Sequence, residues 1–213
     1  MRWRITILML GVLLSCGGLA QATPITIAIS GVVTDLWGSA LPGTIYTGAG
    51  FTGTYTYDRD ILDSAPSAQL GEYYHNSPYG INIVLGGYEF KTAPSHVGQF
   101  DMRIANDATV PPMGEGVWDY YLVRSNQNVS VPSVGFTILS IRWDLWDSKH
   151  TALFSDTLPI TAPVLTDWNS NLLEISFGYG LSIYGTVTQA VLVPEPLTGV
   201  LMAIGVLFLR RRR

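Results

Sequence analysis

The segment Asp58-Arg-Asp60-Ile-Leu-Asp63 gathers three carboxylates where a strand-like run gives way to a Ser/Pro loop. Hard oxygen ligands on a flexible loop suit Ca²⁺, which makes Asp58, Asp60 and Asp63 a candidate calcium site. The series lacks the glycine and the bidentate glutamate of an EF-hand loop, so an Asx-turn with solvated charges is the competing reading. His75, His96 and His150 are scattered over loop-like stretches without H-x-H or H-E-x-x-H spacing, and each reads as a surface residue. No G-x-S-x-G elbow accompanies them. Carboxylate pairs such as Asp144 with Asp147, or Glu72 with Glu89, have the chemistry of a glycosidase, but a chain with sixteen acids offers many such pairs. Gly48-Ala-Gly50-Phe-Thr-Gly53 matches G-x-G-x-x-G, yet a strand-like run follows where a dinucleotide site needs a helix N-terminus. Its glycines read as a turn or a close strand contact. No catalytic residue is assigned, and the chain is not read as an enzyme.

Aromatic residues are the better binding candidates. Alternation that buries Trp143 turns Trp146 to the opposite face, beside Arg142 and Asp144. A flat indole flanked by polar groups can hold a sugar ring, taking its C–H groups on the apolar face while the neighbours bond hydroxyls. Trp146 is therefore the first candidate for glycan stacking. The alternative is a ring that merely covers one end of the core.

The elements that must position these residues are strands. Between Thr23 and Leu192 no stretch sustains a 3.6-residue apolar period, whereas two-residue alternation recurs. Ile25 to Ile29 alternates, and Phe51 to Tyr57 sets aromatic or Gly residues against Thr. Ile81, Ile83 and Leu85 share a face. Over Phe136 to Leu145 the expected inward set is Leu139, Ile141, Trp143 and Leu145. Ile175, Phe177, Tyr179, Leu181 and Ile183 suggest one long strand continuing towards Val187. Turn signals lie at Leu41 to Gly43, Asp58 to Pro66, Gly86-Gly87, Val110 to Gly116, Ser125 to Asn128 and Pro159 to Asn171. This pattern predicts an all-β, single antiparallel β-sandwich, jelly-roll-like or alternatively immunoglobulin-like. Ser30-Gly-Val-Val-Thr34 resembles Tyr184-Gly-Thr-Val-Thr188, which suggests that the first and last strands lie side by side.

Both ends read as addresses. Met1-Arg-Trp-Arg4, the apolar run Ile5 to Leu14 and Ala20-Gln21-Ala22 form a basic n-region, an h-region and an A-x-A cleavage site. The expectation is a signal peptide over 1–22, cut by signal peptidase after Ala22. Leu13-Leu14-Ser15-Cys16 is a loose lipoprotein-box rival in which Leu14 fits poorly. Cys16 is the only cysteine, so the ordinary cut leaves a chain without disulfides or thiolates. At the other end Pro194-Glu195-Pro196 precedes an apolar run from Leu197 to Leu209 and then Arg210, Arg211, Arg212 and Arg213. As a helix, that run rises only about 20 Å, against a hydrocarbon core of about 30 Å. Pro194 and Pro196 prevent upstream extension, and the arginines hold the C-terminus on the cytoplasmic side. The expected element is a short transmembrane helix acting as a temporary stop-transfer segment.

In these residues the chain resembles the PEP-CTERM family. Its tail carries a Pro-Glu-Pro motif often followed by x-Thr, a short apolar helix and an arginine cluster. Pro194, Glu195, Pro196 and Thr198 match the motif, and Arg210 to Arg213 match the cluster. The resemblance is confined to residues 193–213 and the signal peptide. It implies export in a Gram-negative bacterium, a transient inner-membrane intermediate and recognition by an exosortase. It further implies a final place at the cell surface or in the extracellular matrix, with a link to exopolysaccharide and biofilm.

Charge supports this division. Fifteen of sixteen acids but only six of twelve Lys and Arg lie within 23–192, a net charge of −9 where the whole chain carries −4. An acidic, lysine-poor domain argues against nucleic acid and anionic membrane surfaces as partners. The mean hydropathy of +0.27 is raised by the two apolar ends. The expected function is a structural or adhesive component of the exopolysaccharide or biofilm matrix. A carbohydrate-binding module is the first alternative and a secreted hydrolase the second.

Overall fold

The computed structural model describes residues 23–38, 41–109, 116–131, 135 and 137–194. The expected signal helix lies outside the described residues, with Ala20 and Ala22. So does the expected transmembrane helix, with Glu195, Pro196, Thr198 and Arg210 to Arg213. Among the described residues there is no α-helix, and no helix is long and apolar enough to cross a membrane. Two 3-10 turns, Leu165–Asp167 and Gly178–Gly180, are the only helical elements described.

Ten strands follow one another: β1 Pro24–Trp37, β2 Gly50–Asp58, β3 Leu70–His75, β4 Gly80–Leu85 and β5 Tyr88–Lys91, then β6 Phe100–Ala108, β7 Trp118–Ser125, β8 Ile138–Asp147, β9 Ser170–Phe177 and β10 Ser182–Leu192. The described residues are all-β, as alternation predicts. The expected pair of sheets is replaced by one antiparallel sheet in the order β3-β6-β7-β8-β9-β10-β1-β2-β4-β5. That sheet curls until its halves face each other over one core. The phenols of Tyr55 on β2 and Tyr121 on β7, far apart in strand order, share a hydrogen bond of 2.7 Å. Phe90 on β5 meets Phe177 on β9 edge-on, with centroids 6.0 Å apart. Alternation alone could not distinguish this from a sandwich, because both put every second residue inward.

The first and last strands do pair. Gly31 lies opposite Val187, Val32 opposite Thr186 and Val33 opposite Gly185. A side chain at Gly31 or at Gly185 would strike the ring of Phe51, which packs over both. The two similar segments thus share a glycine because one aromatic ring lies across both strands.

Two strand expectations are corrected. A bulge between Ile138 and Ser140 places Ile138 in the core and leaves Leu139 exposed, while Ile141, Trp143 and Leu145 point inward as expected. The run from Ile175 to Ile183 is not one strand but a hairpin. Phe177 N–H donates to Leu181 O, and Gly180 takes φ +73° between the two arms.

Side-chain hydrogen bonds join strands within the core. The Trp143 indole N–H donates to Asn171 Oδ1, and the Asn171 amide donates to Val187 O, joining β8, β9 and β10. Burial pushes the phenols of Tyr55 and Tyr121 well up, so both stay protonated within the apolar interior. The surface assignment of His75 and His96 is also corrected, for both are buried. His75 sits among Tyr57, Tyr79 and Phe100, and its ring nitrogens face Tyr73 O and Asp58 O at 3.2 Å each.

Tyr55→Phe and Tyr121→Phe should each cost about 1–2 kcal/mol, because each strands the other hydroxyl. The double variant should cost no more than one single, and additive losses in denaturant unfolding would refute the shared bond. Burial, opposed by hydrogen bonds to the backbone at Asp58 and Tyr73, holds the His75 imidazole below its ordinary range. The unfolded chain therefore binds the extra proton, so stability is full above the unfolded pKa and falls as pH drops towards the folded one. His75→Phe should flatten unfolding free energy between about pH 7 and 5, removing a slope of at most about 1.4 kcal/mol per pH unit.

Candidate functional site

Cross-strand register builds one continuous outward face over β3, β6, β7, β8 and β9. Glu72 lies opposite Arg103 and Asp101 opposite Arg124. Leu122 lies opposite Asp144, Tyr120 opposite Trp146 and Arg142 opposite Glu174. Three of the six bases of 23–192 therefore fall on this face, each facing carboxylates. Arg124 donates Nε–H and Nη2–H to the two oxygens of Asp101, both at 3.0 Å. Arg103 spans Glu72 at 3.2 Å and Asp101 at 3.5 Å, and Arg142 reaches Asp144 at 2.6 Å and Glu174 at 3.5 Å.

Asp101 and Asp144 are each only 1% exposed, so their arginines answer charges withdrawn from water. Burial pushes the Asp144 carboxyl up, against the opposing pull of Arg142 and the Tyr120 hydroxyl. Tyr120 O–H donates to Asp144 Oδ1 at 2.8 Å, and burial followed by the Asp144 charge pushes that phenol up. The group acts as a fixed donor. These carboxylates are engaged by arginine and phenol, an arrangement that suits rigidity and leaves no free acid-base pair among them.

Trp146 does face away from Trp143, as alternation predicts. It is half-buried, with Tyr120 edge-on at 5.6 Å and Trp118 at 6.3 Å, and it packs on a small outer cluster of Ala105, Ala108, Tyr120 and Leu122. The ring closes this cluster. The partnership of Trp118 and Tyr120 with Trp146 needed the β7–β8 register and had no signal in the sequence beyond alternation.

Two of the three carboxylates in the 58–63 segment, Asp58 and Asp63, hold turns, and Asp60 lies at the surface 3.5 Å from Arg59 Nε. Asp58 Oδ1 accepts from Asp60 N–H, the Asx-turn reading of the sequence. Asp63 Oδ1 accepts from Ala65 N–H and from Glu72 N–H on β3. It thereby caps an edge strand that would otherwise present a free donor. Among the described residues, the three ligating side chains brought within 4.8 Å are Asp107, Asp119 and His150. Asp119 is buried and already engaged: Oδ1 accepts from Asp107 N–H, and Oδ2 from Ala152 and Leu153 N–H. That leaves Asp107 and His150, 3.1 Å apart at the surface, fewer donors than a zinc or calcium site requires. The convergence was not legible in sequence, since its members come from β6, β7 and the loop after β8.

The remaining pairs separate. Asp147 is buried and caps a turn through Lys149 and Thr151 N–H, whereas Asp144 faces outward. Glu72 on β3 and Glu89 on β5 lie on the two edge strands. Gly48, with φ +95°, precedes β2 in a loop. Comparison with protein-family models, with curated proteins and with solved structures finds no match to the chain.

Asp119→Asn should lower stability by about 2–3 kcal/mol, because the buried carboxylate holds three backbone donors. Added Ca²⁺ should leave the melting temperature of the wild-type chain unchanged, and a rise saturating with calcium would restore the metal reading.

Proposed function

We infer that the protein is exported and sorted by an exosortase, and that its mature part is a non-catalytic β body at the cell surface or in the extracellular matrix. It serves there as a structural or adhesive component associated with exopolysaccharide or biofilm. The observation that carries this reading is the tail: Pro194-Glu195-Pro196 with Thr198, a thirteen-residue apolar run and four terminal arginines, behind a basic signal sequence.

The path of the chain supports it. Ile27 pairs with Leu192, and Val193 N–H donates to Thr26 O, so the chain begins β1 beside the point where it leaves β10. Signal peptidase and exosortase would then act at the same pole of the body, leaving its strand faces clear of both. Stability without disulfides rests on the aromatic core and on bases committed to buried acids. Carbohydrate binding is the second reading, favoured by the outer surface of β2 and β4, where Thr52, Thr54 and Thr56 lie beside the Asn82 amide. Calcium, if bound, would be peripheral to either role.

Replacing Pro194, Glu195 and Pro196 with alanine in producing cells should leave an uncut precursor in the inner membrane. Fractionation and immunoblotting decide the matter: release at the normal rate and size would overturn sorting through this motif.

A further inference from the structure

We propose that the outer surface of β2 and β4 carries a binding groove for a neutral, hydroxyl-rich ligand of the saccharide class. The groove has a volume of about 410 Å³, within the usual range of small-molecule sites. Its floor is formed by Thr54, Thr56 and Asn82, where Thr54 and Asn82 are cross-strand neighbours. Its walls are the segments 77–80 and 92–96.

His96 ties the walls together. Its Nε2 lies 2.7 Å from Tyr79 O, and Ser77 N–H donates to His96 O at 3.4 Å. The groove is therefore formed before any ligand arrives, which lowers the ordering cost of binding.

Two acceptors fix the chemistry of the ligand. The Asn82 Nδ2 group bonds Glu89 Oε1 at 2.8 Å, and a carboxylate only accepts, so Asn82 Oδ1 is the remaining oxygen. By the same reasoning His96 Nε2, opposite a carbonyl oxygen, is the nitrogen that carries the proton, which leaves Nδ1 as the lone-pair acceptor. Asn82 Oδ1 and His96 Nδ1 are both buried and without a partner. Both belong to residues lining this groove, and His96 is 2% exposed. Unpaired buried acceptors call for donors, and a sugar supplies O–H groups in numbers.

The groove does not suit an anion. The one cation lining it, Lys91, is held by Glu89 at 2.6 Å, the orphan atoms are acceptors, and the 23–192 region carries −9. Beyond the groove, Thr56 shares a hydrogen bond with Thr26 at 2.9 Å, continuing the neutral hydroxyl surface onto β1. A chain of several sugar units matches that extent better than a monosaccharide. The proposal rests on the carbohydrate-binding reading and is independent of sorting.

Titration calorimetry of the full-length protein in detergent tests it, with α-glucan, β-glucan and mannan hexasaccharides, their monosaccharides, and oligogalacturonate as the anionic probe. At least one neutral oligosaccharide should bind saturably and better than its monosaccharide. Thr54→Val, an exposed and shape-conserving change, should weaken that binding by about two- to tenfold, and Asn82→Ala by at least as much. The ¹⁵N resonance of His96 Nδ1 should shift on binding, a readout that needs no variant. No saturable neutral binding up to about 10 mM would overturn the proposal while leaving the sorting reading intact. Binding unchanged in Thr54→Val with an unmoved His96 resonance, preference for oligogalacturonate, or selective loss in Trp146→Ala would overturn it equally.

Discussion

The antiparallel pairing of β1 with β10 is the contact on which the rest of the molecule depends. In the strand order it is the junction between β3-β6-β7-β8-β9-β10 on one side and β1-β2-β4-β5 on the other. Without it there would be two smaller sheets, each with one fresh edge, and no geometry to bring Tyr55 against Tyr121. The junction requires the backbones to meet beneath a large ring, and Gly31 and Gly185 supply the space that Phe51 occupies. It also joins residues 145 to 165 positions apart in sequence, so the body closes only when nearly all of 23–192 is available to fold. Closing this long loop is an entropic cost that local strand propensity cannot offset, and the shared aromatic core supplies the compensating burial.

The remaining edges are handled by side chains and loops. Asp63 caps Glu72 N–H on β3. On β5, Val129 N–H donates to Lys91 O and Ala93 N–H to Gln127 O, so the segment after β7 covers that edge. Open strand edges invite edge-to-edge association, and these caps reduce it. The outward faces divide by chemistry. Over β3 and β6–β9, scarce arginines neutralise buried acids; over β1, β2 and β4, neutral hydroxyls and amides prevail. The first arrangement favours rigidity and the second favours exchange of hydrogen bonds with a ligand or with water.

Much of the strand content was legible because burial follows a two-residue period. Phe51, Tyr55 and Tyr57 face the core opposite an outward Thr series, and Ile81, Ile83 and Leu85 behave likewise. Failures came where the backbone interrupts that period. The bulge at Leu139 moves one residue out of phase, and Gly178–Gly180 folds an apparent long strand into a hairpin, so alternation on either side survives while the connection changes. The histidines were misread for a different reason. His75 and His96 lie in polar-looking surroundings in sequence, but each meets a carbonyl oxygen of a distant segment, and aromatic rings enclose His75 as well.

The sequence by itself determined the all-β class, the placement of Trp143 and Trp146 on opposite faces, and the addresses expected at the two ends. Each depends only on residue type and local spacing. Only the tertiary structure decided that one curled sheet replaces two and that Asp63 serves as an edge cap. The encounter of Asp107, Asp119 and His150, and the convergence of Thr54, Asn82 and His96 on one groove, were likewise beyond local reading. These are matters of register and curvature between strands distant in the chain, and a two-residue alternation is the same whichever strand lies alongside.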